Sequence, residues 1–210
     1  VSYAILPINL DDGCTMAHAY AGGFSSSGHS ALLDTKGNLW FSGCDRWQQL
    51  GLGSAQGGSS GYTWKGGRLW QEQFQKNDYI IELLKSLDPS LGNNTAMDSS
   101  RRYIRDVALG GDHTIILSAN KRDVITFGKG GEGQLGLSSK PWVSSPAKSK
   151  ALSSSNADIS AVCAFRHCSI TLDDNGEVLS RAGKCSMELK GMQKALDRCR
   201  KRAKDTGLVP

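Results

Sequence analysis

Gly28-His29-Ser30-Ala31-Leu32-Leu33-Asp34, continuing through Thr35-Lys36-Gly37-Asn38-Leu39-Trp40, is the stretch whose reading decides the fold. An apolar run meets a short polar turn carrying Gly37, and a second apolar run follows. That pattern specifies an antiparallel hairpin, with Ala31 and Leu33 on one buried face. Upstream stands Ala19-Tyr20-Ala21-Gly22-Gly23, and downstream Gly43 precedes Gln49-Leu50-Gly51 by six residues.

The same arrangement recurs. Val107-Ala108-Leu109-Gly110-Gly111 leads to Asp112-His113-Thr114-Ile115-Ile116-Leu117, and Gly128 precedes Gln134-Leu135-Gly136 by the same six residues. Ser118-Ala119-Asn120-Lys121-Arg122-Asp123 replaces the Gly-bearing turn in this copy. A third copy reads Val162-Cys163-Ala164-Phe165-Arg166-His167-Cys168-Ser169-Ile170-Thr171-Leu172-Asp173. Its turn is Asp174-Asn175-Gly176, and it keeps Gly183 and Gly191 but has Leu189-Lys190 in place of Gln-Leu. On this alignment His29, His113 and His167 share one repeated position. Self-similarity at this spacing is the signature of a repeat architecture.

The combined pattern of Gly-Gly, His, the Gly-x-Leu-Trp hairpin and Gln-Leu-Gly resembles the regulator of chromosome condensation repeat, over residues 16–53, 104–138 and 159–185. The resemblance implies blades of a β-propeller, each a four-stranded antiparallel sheet, which in that family close into a ring of seven. The expected fold is all-β: a partial, about three-bladed propeller over 1–185 with an insertion at 54–102, then a basic helical tail over 186–210. Phe165-Arg166 in place of Gly-Gly and the lost Gln-Leu-Gly mark the third copy as degenerate.

Gly22, Gly23, His29, Gly43, Gln49, Gly51, Gly110, Gly111, His113, Gly128, Gln134, Gly136, His167 and Gly183 are read as structural. Glycines permit tight turns and close packing, and an imidazole between a turn and a strand bonds neighbouring backbone. Three catalytic histidines on three blades would point into three separate places. Three blades also fall short of the about four that close a propeller, so the chain is expected to be a piece of a longer propeller, to cover its open sides with its own insertions, or, the favoured expectation, to lodge against another protein chain or a second copy.

Within the insertion, Tyr79-Ile80-Ile81-Glu82-Leu83-Leu84-Lys85-Ser86-Leu87 places Ile80, Leu83, Leu84 and Leu87 on one helical face, with Asn77 or Asp78 as cap and Asp88-Pro89 as stop. The stripe, with Trp64 and Trp70, either packs back on its own blade or forms a partner-binding arm. In the tail, Leu189, Met192, Leu196 and Cys199 recur at helical spacing after Ser186 as N-cap. Residues 186–210 hold seven basic and three acidic side chains, a net +4 of the chain's +5. Lys194, Arg198, Arg200, Lys201 and Arg202 are candidates for an acidic protein surface or anionic lipid headgroups, set against a solvated helix end. No aromatic residues interleave, which disfavours nucleic acid.

No P-loop, H-E-x-x-H or G-x-S-x-G occurs, and no cofactor, metal or catalytic residue is expected. Gly128-Lys129-Gly130-Gly131-Glu132-Gly133 fits a dinucleotide fingerprint in letters, but it sits in a repeat loop rather than opening a helix. Six cysteines without a C-x-x-C pair are read as idle thiols of a reducing compartment. The missing initiator Met leaves two expectations: an organelle reached through a removed transit peptide, or trimming of a nuclear or cytoplasmic chain. The functional expectation is a non-catalytic scaffold or accessory subunit. Nucleotide exchange on a Ran-type small GTPase, which the resemblance implies, is the alternative.

Overall fold

A computed structural model describes residues 14–23, 27–53, 62–65, 68–91, 103–138, 141–185 and 189–208. Blade 1 is formed by β1 (Met16–Gly22), β2 (His29–Asp34), β3 (Leu39–Cys44), β4 (Tyr62–Lys65) and β5 (Arg68–Lys76), in the order β1-β2-β3-β5-β4. After helix α1 (Asp78–Leu87), blade 2 comprises β6 (Ile104–Leu109), β7 (His113–Ser118), β8 (Val124–Lys129) and β9 (Trp142–Lys148) in sequence order. Blade 3 comprises β10 (Ala161–Phe165), β11 (Cys168–Leu172) and β12 (Val178–Gly183), and helix α2 (Leu189–Asp205) follows. All pairings are antiparallel.

The expected partial propeller of three antiparallel blades is therefore present, with five, four and three described strands rather than four throughout. The insertion supplies the extra strand of blade 1, because β5 takes the fourth place and β4 adds a fifth. Blade 3 has no described fourth strand, and its chain passes into α2.

Side chains alternate between the faces of each sheet, so each blade presents one face to its predecessor and the other to its successor. Ala31, Leu33, Leu39 and Phe41 of blade 1 meet Val107, Leu109, Ile116, Ile125 and Phe127 of blade 2 in one buried cluster. Phe41 and Phe127 pack edge to face at 5.9 Å. Ile115, Leu117 and Val124, on the opposite face of blade 2, join Ile159, Val162 and Ala182. The far face of blade 3 (Ala161, Cys163, Cys168, Ile170 and Leu172) is covered by Leu196, Cys199 and Ala203 of α2 together with Leu208. Helix α2 thus stands where a further blade would pack, as a terminal cap does in repeat proteins.

Helix α1 forms as its sequence predicts. Asn77 Oδ1 accepts the Ile80 amide at 3.3 Å, and the Asn77 side-chain amide donates to Gly51 O at 2.8 Å. Ile80 and Leu84 are fully buried in the first cluster, so the stripe packs into the junction of blades 1 and 2, with α1 beside β9, rather than projecting as an arm.

The idle-thiol expectation is corrected. Cys163 on β10 is bridged to Cys199 on α2, and Cys168 on β11 to Cys185 just beyond β12; Cys14 and Cys44 take part in neither bridge. Cys163 and Cys168, which stand on either side of His167 in sequence, thus belong to different bridges. Among the described residues no helix is long and apolar enough to cross a membrane.

Candidate protein-interaction surfaces

The repeated polar residues join one blade to the next, always in the same direction. His29 Nε2 of blade 1 lies 3.2 Å from the Thr114 hydroxyl of blade 2, and His113 Nε2 of blade 2 lies 2.9 Å from the Ser169 hydroxyl of blade 3. Thr114 in turn donates to Gln49 O at 2.7 Å. The Gly23 amide donates to Gly110 O of the next blade at 2.8 Å, and the Gly111 amide to Arg166 O at 3.0 Å.

The Gln-Leu-Gly loops follow the same rule. Gln49 Oε1 accepts the Trp47 amide and Gln134 Oε1 the Glu132 amide, each at 2.9 Å, which closes each loop on itself. Each loop then presses on a glycine of the following blade. A Cβ at Gly128 would stand 3.1 Å from Gln49 Cα, and one at Gly183 would stand 2.7 Å from Gln134 Cα. Both glycines have positive φ (+99° and +91°), so their side-chain-free, left-handed backbone makes the close approach. Gly51 and Gly136 sit over Phe127 and Ala182, the residues just before those two glycines.

Blade 3 departs from this rule. Gly43 pairs with His29 and Gly128 with His113, whereas Gly183 pairs with Cys168. Cys168 therefore holds the position that the sequence alignment gave to His167, which falls one residue earlier. Because side chains alternate, a one-residue offset transfers a residue to the other face. Blade 3 keeps the receiving features, Ser169 and Gly183. In place of the outgoing ones it has Phe165-Arg166, Cys168 and the start of α2.

Burial holds the imidazoles neutral. His29 is lowered to about 4 by desolvation, against the opposing pull of Asp112. His113 is lowered to about 3 by desolvation, reinforced by His29 and His167. At neutral pH each of these two imidazoles is therefore held uncharged between its strands.

Helix α2 presents a divided set of cations. Both terminal nitrogens of Arg202 reach the buried carboxylate of Asp106 on β6, at 2.6 and 2.7 Å, and one also donates to Val162 O. Burial alone would lower the Arg202 pKa, and Asp106 outweighs it. Arg200 donates to Gly176 O at 2.8 Å and lies 3.6 Å from Glu177. Lys194, Arg198 and Lys201 are exposed, and no described side chain pairs with them. Of the tail candidates, two are thus tied into the fold and three face outward. The Ser186 cap and the side chains of Leu189 and Met192 fall outside the described residues.

Strands β1 and β10 each lie beside β6, forming the inner margin of the arc. Between them and α2 runs a cleft of about 300 Å³, lined by Ala19, Ala21, Ala108, Ala164 and Phe165, with Arg198 and Arg202 on the helix side. Sequence reasoning did not find this cleft, whose walls come from four separate segments. Trp70 is half-buried on β5 beside Cys44, and the side chain of Trp64 falls outside the described residues. Trp142 on β9 and Tyr79 on α1 are exposed.

These features define a partial β-propeller whose repeats resemble those of the regulator of chromosome condensation family. No family model matches the chain. Mouse protein RCC2 is 32% identical over 108 residues, covering 51% of this chain and 19% of that protein. Human WBSCR16 superposes with a TM-score of 0.52 at 17% identity, over 84% of this chain and 37% of its own. Prp20p from Saccharomyces cerevisiae, a structure described with its binding to Gsp1p and histones, superposes with a TM-score of 0.54 at 16% identity, over 92% and 36%. The chain thus spans about a fifth of the mouse relative and just over a third of these solved structures.

Proposed function

We propose that the chain is a non-catalytic protein-interaction scaffold, an accessory piece of a larger assembly. The observation that carries this reading is the role of the repeated polar residues. The side chains of His29 and His113 and the loop backbone at Gln49 and Gln134 are engaged in joining blades, and both histidines are held neutral. Recognition then falls to the surface, where Lys194, Arg198 and Lys201 offer charge and Trp142 and Tyr79 offer apolar area. An acidic protein face suits these cations; anionic headgroups offer the same charge without a shaped contact.

The test is affinity isolation with chemical cross-linking. The scaffold reading expects a protein partner cross-linked near α2, lost when Lys194, Arg198 and Lys201 are together changed to Glu. Recovery of lipid or nucleic acid alone would count against it.

A second reading is exchange on a Ran-type small GTPase. The likeness to Prp20p favours it, since that protein was described with Gsp1p binding. Accelerated release of labelled GDP from such a GTPase would establish it over scaffolding.

A further inference from the structure

The inner cleft combines three properties that together specify a ligand. Its walls are largely small and apolar: Ala19 and Ala21 of β1 are exposed, and Ala108, Ala164 and Phe165 are half-buried. Its lining contains two guanidinium groups and, among the described residues, no carboxylate. Among the described residues only Arg202 meets a carboxylate, that of Asp106, while Arg198 is exposed and pairs with no described side chain. Lys194 lies four residues before Arg198 on the same helix, whereas Lys201 lines a separate hollow with Glu177, Asp197 and Asp205.

We propose that this cleft receives an acidic peptide segment, with one apolar side chain seated among the alanines and a neighbouring carboxylate on Arg198. The proposal rests on the scaffold reading and names the chemistry of its partner. The volume of about 300 Å³ lies at the small end of binding clefts, which suits a side chain or two of a peptide rather than a folded domain. Alanine walls let a peptide backbone approach closely. A guanidinium gives a carboxylate two parallel hydrogen bonds and so fixes its register.

Three edges of separate blades and one helix build the cleft, and α2 is held to it by the Cys163–Cys199 bridge and the Arg202–Asp106 pair. The walls are therefore set before a ligand arrives, which lowers the ordering cost of binding.

The probe is a short fluorescein-labelled peptide of alternating glutamate and leucine, titrated into the whole chain under non-reducing conditions. Two further peptides carry lysine for glutamate or serine for leucine. The parent peptide is expected to bind, and Arg198→Ala to weaken it by about tenfold, as the loss of one charge-assisted contact does. Ala21→Asp, at an exposed position, sets a carboxylate in the cleft and is expected to weaken binding at least as much. Circular dichroism of both variants checks that they remain folded.

Both altered peptides are expected to bind weakly. Equal binding of the serine peptide, or of the parent peptide to Ala21→Asp, would overturn the assignment and leave a non-specific cationic surface. A natural partner that cross-links to the chain yet does not compete with the probe would sink the cleft while leaving the scaffold reading intact.

Discussion

Arg202 on the terminal helix grips the buried carboxylate of Asp106 on the inner strand of blade 2, with both guanidinium nitrogens within 2.7 Å. The contact reaches past blade 3, so the helix is fastened to two blades at once. Asp106 also accepts the Val162 amide of blade 3 at 2.9 Å, which makes the carboxylate a junction of three elements. The bulge in β6 between Ile104 and Asp106 turns it inward. Arg202→Met would strand that charge in the interior. The expected loss is about 3 kcal/mol, the low end for a broken buried pair because the guanidinium is partly exposed. Urea unfolding measures it, and an unchanged midpoint would show that Asp106 is stabilised without the helix.

The neutral histidines predict acid sensitivity. Their folded pKa values, about 4 for His29 and about 3 for His113, lie below the ordinary imidazole value of 6.5. The unfolded chain therefore binds protons that the folded one refuses as pH falls below about 6.5. Stability is full above that pH and declines below it, by about 1.4 kcal/mol per pH unit for each imidazole, until the folded pKa values are reached. Unfolding midpoints at pH 7, 6 and 5 should fall progressively. A flat profile would mean that the imidazoles are hydrated in the folded state.

Gly128→Ala separates blade docking from backbone strain. Gly53 also has a positive φ, +83°, but a Cβ there meets nothing within 4 Å. Gly53→Ala should cost about 1–2 kcal/mol through conformation alone. Gly128→Ala adds the collision with Gln49 and Asp112 and should cost clearly more. Equal costs would show that the Gln-Leu-Gly loop yields freely.

The bridges make a fourth test. Replacing Cys163 and Cys199 together by Ser should remove about 2–4 kcal/mol, because the bridge closes a 36-residue separation in the unfolded chain. Replacing Cys168 and Cys185, separated by 17, should cost somewhat less, since closure entropy rises slowly with loop length. Peptide mapping without reductant checks the pairing directly; free thiols at all four positions would refute it.

Blades 1 and 2 could be read from sequence because strand alternation, the Gly-Gly pairs and Gln-Leu-Gly agree in both. The third register could not, because His167 and Cys168 are adjacent and only pairing with Gly183 shows which one matches His29. β5 was hidden for another reason. Its run Arg68-Leu69-Trp70-Gln71-Glu72-Gln73-Phe74-Gln75-Lys76 is too polar to alternate clearly, and the buried Gln71 resembles a surface residue on paper. The tail declared itself a helix by spacing, yet its docking place depended on Cys163 being near, and six cysteines admit fifteen full pairings.

The one-way wiring of the blades bears on how copies of this chain can stack. Head-to-tail contacts that do not close into a ring run on as open fibres, and exposed sheets invite them. Here the trailing side of blade 3 is covered by a cross-linked helix, and among the described residues it lacks the histidine and loop that engage a successor in blades 1 and 2. A second copy arriving there would meet none of the contacts by which one blade holds the next.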